Sequence, residues 1–365
     1  MSEKTVFVSV NEIRNKLESF LIFDARYSLT DKNHLQHAFP KGHLPSAQLA
    51  LMDQDLAAPP CNGARHPLPP ADKFIQWCME HGVDGRRPVL CYDDTCGGLG
   101  ACRLWWMLQS LGVEAYVLDG GYQAYQHAGL PLEEGPEKRA APVVEWRLER
   151  DFRHHVRIHQ IPPNAVLVDA RAAPRYQYGV RSLFGGDPLP GHIEGALNLP
   201  FMCNIVTQDG VPRIRSKEEA QQNILAAVGD HVRNPQDLSQ CVFQCGSGVT
   251  ACFNIAMATH VGLGTPFLYC GSWSEYATVH RVPLTRQIVE REGLFIQLLS
   301  PCLCATQPKA QPDIHSILVD GKEVRQPLPE KVQRAISYLH LGEKGVAYFK
   351  GGRTMTVEVQ PKGKL

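Results

Sequence analysis

The 365-residue chain is expected to be an α/β protein in which one unit, a parallel sheet flanked by helices, is used twice and followed by a small α+β domain. Three observations lead there. Short apolar runs alternate with helical periods, which is the pattern of parallel strands joined by crossover helices. Landmark motifs recur in the same order about 150 residues apart. The recurrence stops after roughly Leu284, leaving a tail of different pattern.

The landmarks fix the duplication. Phe23-Asp24-Ala25-Arg26 returns as Val168-Asp169-Ala170-Arg171, and Gly42-His43-Leu44-Pro45-Ser46-Ala47 as Gly191-His192-Ile193-Glu194-Gly195-Ala196. Leu118-Asp119-Gly120-Gly121-Tyr122 returns as Leu268-Tyr269-Cys270-Gly271-Ser272. Within the units, Val89-Leu90-Cys91-Tyr92 and Val242-Phe243-Gln244 read as strands buried on both faces. The runs from Ala101 to Leu111 and from Ala251 to Val261 read as helices stopped by Gly112 and Gly262. The polar, proline-containing stretch Glu133 to Pro142 has no apolar period and is expected to link the units. In the tail, Asp320-Gly321 predicts a turn between short strands, Pro329 to Leu341 a helix, and two further strands flank Lys350 to Arg353. The expected domains are 1–138, 139–288 and 289–365.

Composition narrows the function. Lys+Arg 37 against Asp+Glu 37 leaves no net field to attract nucleic acid or an anionic membrane. Met1 to Thr5 lacks the apolar core of a signal peptide, and the apolar window Ala251 to Cys270 is broken by Asn254, His260, Gly262, Gly264 and Pro266. A cytoplasmic monomer is therefore expected, with neither nucleic acid nor membrane as partner. The 12 cysteines include no Cys-x-x-Cys pair, so neither a disulfide scaffold nor a tetrahedral zinc site is expected. His154, His155 and His159 gain no nearby cysteine and read as surface residues, so no metal or cofactor is assigned.

The chemistry points to Cys245. It opens Cys245-Gly246-Ser247-Gly248-Val249-Thr250-Ala251, between a predicted strand and a predicted helix. Unpaired N–H groups and the helix dipole both favour negative charge there, so the loop suits a nucleophilic thiolate. It also lies at the carboxyl end of a parallel strand, where such sheets bind ligands.

The paired Asp-Ala-Arg, Gly-His-Leu/Ile and Gly-Gly/Gly-Ser-Trp landmarks resemble tandem rhodanese domains over residues 5 to 285. The Cys-Gly-Ser-Gly-Val-Thr loop is similar to that of the 3-mercaptopyruvate sulfurtransferases, and the third domain resembles their three-domain protozoan type. Thiosulfate sulfurtransferases of this fold usually carry Arg and Lys where this chain has Gly246 and Ser247. The resemblance implies persulfide chemistry: sulfur moves from 3-mercaptopyruvate to Cys245 and then to a thiol, a thioredoxin-type protein or cyanide. It makes the first domain catalytically silent, because Asp93 falls where the second has Cys245. It implies a Ser247, His66 and Asp55 relay, with Asp53 the alternative third member. It gives Arg175 as the carboxylate clamp, with Arg181 a second arm whose spacing departs from the family, and Gly246, Gly248, Val249 and Thr250 as the substrate-facing loop. Arg171 follows the strand-end Asp169 and reads as structural, as do Cys96 and Cys102.

Three rivals are discriminated by residues. A Cys-based phosphatase needs Arg after five spacers, where this chain has Ala251. A non-catalytic rhodanese-type binding module would lack the second-domain cysteine. A thiosulfate-specific enzyme would favour cations in the loop, since a dianion gains most from charge-assisted contacts.

Overall fold

A computed structural model describes residues 5–28, 30–178, 187 and 191–280, and the strand segments 294–298, 316–319, 322–324, 344–349 and 354–360. The chain divides into two units. One comprises Met1–Ala172 with Ile193–His280, the other Ala173–His192 with Arg281–Leu365.

The first unit contains two sheets of one topology. Strands β1 (Phe7–Val8), β2 (Leu21–Asp24), β3 (Ala47–Leu49), β4 (Val89–Tyr92) and β5 (Ala115–Leu118) are parallel in the order β1-β5-β4-β2-β3. Strands β6 (His155–Val156), β7 (Leu167–Asp169), β8 (Leu197–Asn198), β11 (Val242–Gln244) and β12 (Phe267–Tyr269) repeat it as β6-β12-β11-β7-β8. Position for position the orders match, which is the duplication seen in three dimensions. The strands β9 (Ile205–Gln208) and β10 (Val211–Ile214) form an antiparallel hairpin inserted in the second copy.

The central strands β2, β4 and β11 are buried along their whole length, as strands covered on both faces must be. Each copy places one carboxylate at the end of its second strand and neutralises it locally. Asp24 pairs with Arg26 at 2.6 Å and accepts the Tyr92 hydroxyl at 2.7 Å, and Asp169 pairs with Arg171 at 2.7 Å. These ion pairs are buried, so their Asp-x-Arg spacing is structural.

The expected helices span Gly100–Ser110 and Thr250–His260, with Gly112 and Gly262 just beyond in left-handed conformation. Both are buried on nearly every side, because each packs on its own sheet and against the other. Trp105, Trp106, Ala251, Phe253 and Met257 therefore belong to one core that runs through both copies.

The stretch expected to link the two copies also lies along the first one. Glu133 exchanges backbone hydrogen bonds with His43 at 2.9 Å, Glu137 accepts the Leu49 N–H at 2.8 Å, and Gln48 accepts the Ala140 N–H at 2.9 Å. The unpaired edge of β3 supplies polar groups that a polar segment can satisfy.

The second unit contains the helix Ala173–Tyr178 and an antiparallel sheet. Its strands are β13 (Leu294–Leu298), β14 (Ser316–Val319), β15 (Lys322–Val324), β16 (Lys344–Phe349) and β17 (Thr354–Gln360), ordered β13-β16-β17-β14-β15. Val319 pairs with Lys322, as a two-residue hairpin connection requires. Asp320, Gly321, the helix expected over Pro329 to Leu341 and the Lys350 to Arg353 turn lie outside the described residues. Among the described residues no helix is long and apolar enough to cross a membrane.

Candidate active site

Cys245 directly follows β11, and the loop Gly246 to Val249 leads into the helix Thr250–His260. The loop is shaped by its backbone. Gly248 has φ +77°, and a Cβ there would lie 2.4 Å from the Cys270 carbonyl oxygen, so no other residue fits without moving backbone. Its N–H donates to Cys245 Sγ at 3.1 Å. The segment after β12 buttresses the loop: Ser272 Oγ accepts the Cys245 N–H at 3.1 Å, and the Trp273 and Ser274 N–H groups donate to the Cys245 and Gly246 carbonyls. Val249 is buried, and the Thr250 and Ala251 positions open the helix. The loop thus offers a sulfur atom at the positive end of a helix dipole with no cationic side chain of its own.

The first copy fills the same place with its own anion. After β4, Asp93 Oδ1 accepts the N–H groups of Thr95 and Gly97 at 2.8 Å, and Oδ2 those of Leu99, Gly100 and Ala101 at 3.1 to 3.3 Å. A carboxylate occupies the cradle and leaves no room for a ligand.

Ser247 and His66 meet, although 181 residues separate them. His66 Nδ1 lies 3.0 Å from Ser247 Oγ. On the other side of the ring, Nε2 is 3.4 Å from Asp53 Oδ1 and 3.3 Å from the Tyr27 hydroxyl. Asp55, the expected orienting carboxylate, is elsewhere: its Oδ2 accepts the Leu51 N–H at 2.7 Å and closes the turn that carries it. The side chain facing His66 is that of Asp53. Burial, then the charge of Arg103, push the His66 imidazole down to about 4 against the attraction of Asp53. The ring is neutral at neutral pH. With Nε2–H directed at Asp53, Nδ1 is free to accept the Ser247 hydroxyl proton. Burial raises the Tyr27 phenol to about 12, so it stays protonated.

Arg175 lies on the helix Ala173–Tyr178 and is engaged in a bidentate pair, Nε and Nη2 to Asp187 at 3.0 and 2.6 Å. Asp187 is buried, so this pair holds the guanidinium plane. Arg181 lies outside the described residues. Cys96 and Cys102 are buried beside the first-copy cradle, and burial pushes both thiols up. Among the described residues no three His, Cys, Asp or Glu side chains gather in a way that would hold a metal ion. Sequence reasoning missed Arg103, Tyr27 and Asp187. Only Arg103 left a signal, a cation in the otherwise apolar run Ala101 to Leu108.

The rhodanese-like domain family matches residues 9–128 and 156–278, both copies of the sheet unit. The chain belongs to the rhodanese family. A second match, to a domain of unknown function (DUF1930), covers residues 294–363. Among solved rhodanese-family structures, 3-mercaptopyruvate sulfurtransferase from Leishmania major is 45% identical, with a TM-score of 0.83 over 99% of this chain and 98% of that one. A Pseudomonas aeruginosa relative described as a "Probable 3-mercaptopyruvate sulfurtransferase" is 33% identical over 72% of this chain and 91% of its own length. Thiosulfate sulfurtransferase of Cricetulus griseus is 29% identical over 72% of this chain and 86% of its own. The rhodanese family therefore includes relatives named for either sulfur donor, and the loop chemistry must discriminate between them.

Proposed function

We propose that this rhodanese-family protein is a 3-mercaptopyruvate sulfurtransferase whose nucleophile is Cys245. The observation that carries the reading is the Ser247 hydroxyl, held on a neutral His66 at 3.0 Å and two residues from Cys245, in a loop with no Arg or Lys. Thiosulfate has no carbonyl for a hydroxyl to polarise and would gain from loop cations. 3-Mercaptopyruvate has a ketone and a single carboxylate.

In this mechanism the Cys245 thiolate attacks the substrate sulfur and the C–S bond breaks. The bonding electrons pass to the carbon, giving the pyruvate enolate. As charge develops on the substrate oxygen, the Ser247 hydroxyl turns its one proton from His66 Nδ1 toward it, and the substrate's S–H proton, given up by the new persulfide, is relayed by the freed His66 Nδ1 to the enolate carbon, yielding pyruvate and the persulfide anion. The Gly248 N–H stabilises the sulfur anion, and Arg175 binds the carboxylate. An acceptor thiolate, from a small thiol or a thioredoxin-type protein, then takes the outer sulfur and regenerates Cys245; cyanide serves as a test acceptor. The first domain contributes His66 and Asp53 but no nucleophile.

Intact-mass measurement after incubation with 3-mercaptopyruvate, without acceptor, tests the reading. One added sulfur atom on Cys245, with release of pyruvate, is expected. Persulfide formation from thiosulfate at an equal or higher rate would instead assign the thiosulfate activity, and no added sulfur from either donor would assign a binding module.

A further inference from the structure

Arg103 lies on the helix Gly100–Ser110 of the domain that lacks the nucleophile, and its side chain is fully buried. A guanidinium has five N–H donors, and all five are engaged here. Nε and Nη2 donate to the Leu56 carbonyl at 3.2 and 3.0 Å, and Nη2 also donates to the His66 carbonyl at 3.2 Å. Nη1 donates to the Gly248 carbonyl at 3.2 Å and to Cys270 Sγ at 2.9 Å. Burial pushes the Cys270 thiol up, so it is neutral and passes its own S–H to the His66 carbonyl at 3.3 Å. Among the described residues Arg103 forms no ion pair with a carboxylate, unlike the buried Arg26 and Arg171. A buried cation without a counter-ion is costly unless its geometry is used.

The contacts converge on the residues of the sulfur-transfer step. We infer that Arg103 is a positioning residue for that step: one guanidinium holds the carbonyl of Gly248, the residue whose own N–H faces Cys245 Sγ, and the backbone carbonyl of His66, whose ring holds Ser247. Leu56 extends the same grip to the turn that carries Asp53. The two halves of the site come from different domains, and Arg103 bonds to both. Lysine, with three donors on one nitrogen, cannot span four acceptors spread over three loops.

The charge acts as well as the hydrogen bonds. His66 faces Asp53 and Tyr27 at Nε2, Ser247 at Nδ1, and the charges of Arg103, Arg65 and Lys32. A fixed cation close to an imidazole disfavours its protonated form and keeps Nδ1 available as an acceptor.

The inference rests on Cys245 being the nucleophile, and the test separates the two. Persulfide formation on the full chain is followed by quenched-flow intact mass with 3-mercaptopyruvate, for wild type, Arg103→Lys and Arg103→Met, with the pH profile of kcat/KM. Persulfide on wild-type Cys245 supports the nucleophile whatever the variants do. Arg103→Lys keeps the charge and loses the fork, so its persulfide forms about ten- to hundredfold more slowly, with the acid limb near that of wild type. Arg103→Met slows it at least as much and moves the acid limb upward, from about 4 toward the ordinary histidine value of 6.5. Wild-type rates in folded Arg103→Lys overturn the inference, even if Arg103→Met does not fold. It is equally overturned if the variants lose folded protein while the surviving molecules keep the wild-type rate and acid limb, because Arg103 then serves only to hold the domains together.

Discussion

At the scale of single residues, the relay turns on which of two aspartates faces His66. Asp53 and Asp55 lie on one short turn, yet only Asp53 reaches Nε2, while Asp55 is occupied with the Leu51 N–H. Asp53→Asn should therefore lower kcat/KM for 3-mercaptopyruvate by about tenfold or more, and Asp55→Asn should leave it within about twofold. Steady-state kinetics with one acceptor decides between them, and the reverse order of effects would return the role to Asp55. His66 and Asp55 also titrate in opposite senses. His66, at about 4 in the folded state against 6.5 ordinarily, binds its proton less readily than in the unfolded chain, so its contribution to stability falls as pH drops from 6.5 to 4. Asp55, raised by burial to about 6 from 3.8, contributes stability at low pH that is lost as pH rises through about 6. Because the two offset each other, the check is direct. The imidazole resonances of His66 should show no protonation down to about pH 5, and a midpoint near 6.5 would contradict its burial.

At the scale of the element, the two strand-to-helix loops are one device with two fillings. In the first copy the Asp93 carboxylate satisfies five N–H groups, which a missing side chain would leave buried and unpaired. Asp93→Ala should cost about 3 kcal/mol or more in urea unfolding of the full chain, while sulfur transfer per folded molecule persists. A loss below about 1 kcal/mol would mean that water replaces the carboxylate without penalty. In the second copy Gly248 carries the loop's shape. Gly248→Ala pushes a methyl group against the Cys270 carbonyl at a positive φ, so the N–H facing Cys245 must move. Persulfide formation should slow by at least about tenfold. Intact mass against time measures it, and an unchanged rate would remove the Gly248 N–H from the mechanism.

For the whole molecule, the division into two units runs between the residues proposed for sulfur transfer and the one proposed to bind the carboxylate. Cys245, Ser247, His66, Asp53 and Arg103 all belong to the first unit, whereas Arg175 and Asp187 belong to the segment Ala173–His192 that groups with the C-terminal region. Removing residues 290–365 should therefore raise KM for 3-mercaptopyruvate more than it lowers the single-turnover rate at saturation, because Arg175, the proposed carboxylate ligand, groups with the removed region and Cys245, the proposed nucleophile, does not. A truncated protein with unchanged KM would detach the tail from substrate binding. Within the first unit, Cys245→Ser should abolish transfer and Cys102→Ser preserve it, since only Cys245 lies between a strand end and a helix start with a loop N–H directed at its sulfur.

What the sequence by itself determined is what short-range rules control. Strand and helix follow from apolar period, Gly112 and Gly262 mark helix ends, and the repeated Asp-x-Arg motif fixes the duplication, since each depends on neighbours a few residues away. The Cys245 loop was legible for the same reason: a strand, a glycine-rich turn and a helix in succession define an anion cradle without knowledge of the rest. The tertiary structure alone decided the partners. Asp53 rather than Asp55 facing His66, Asp187 on Arg175, and Arg103 between His66 and Gly248 all depend on side-chain directions in non-repeating loops and on contacts as distant as 145 and 181 residues. No periodicity encodes those directions. Those that join Ser247 to His66 and Arg103 to Gly248 are set only when two domains share one core and the buried polar groups of each must find donors and acceptors in the other.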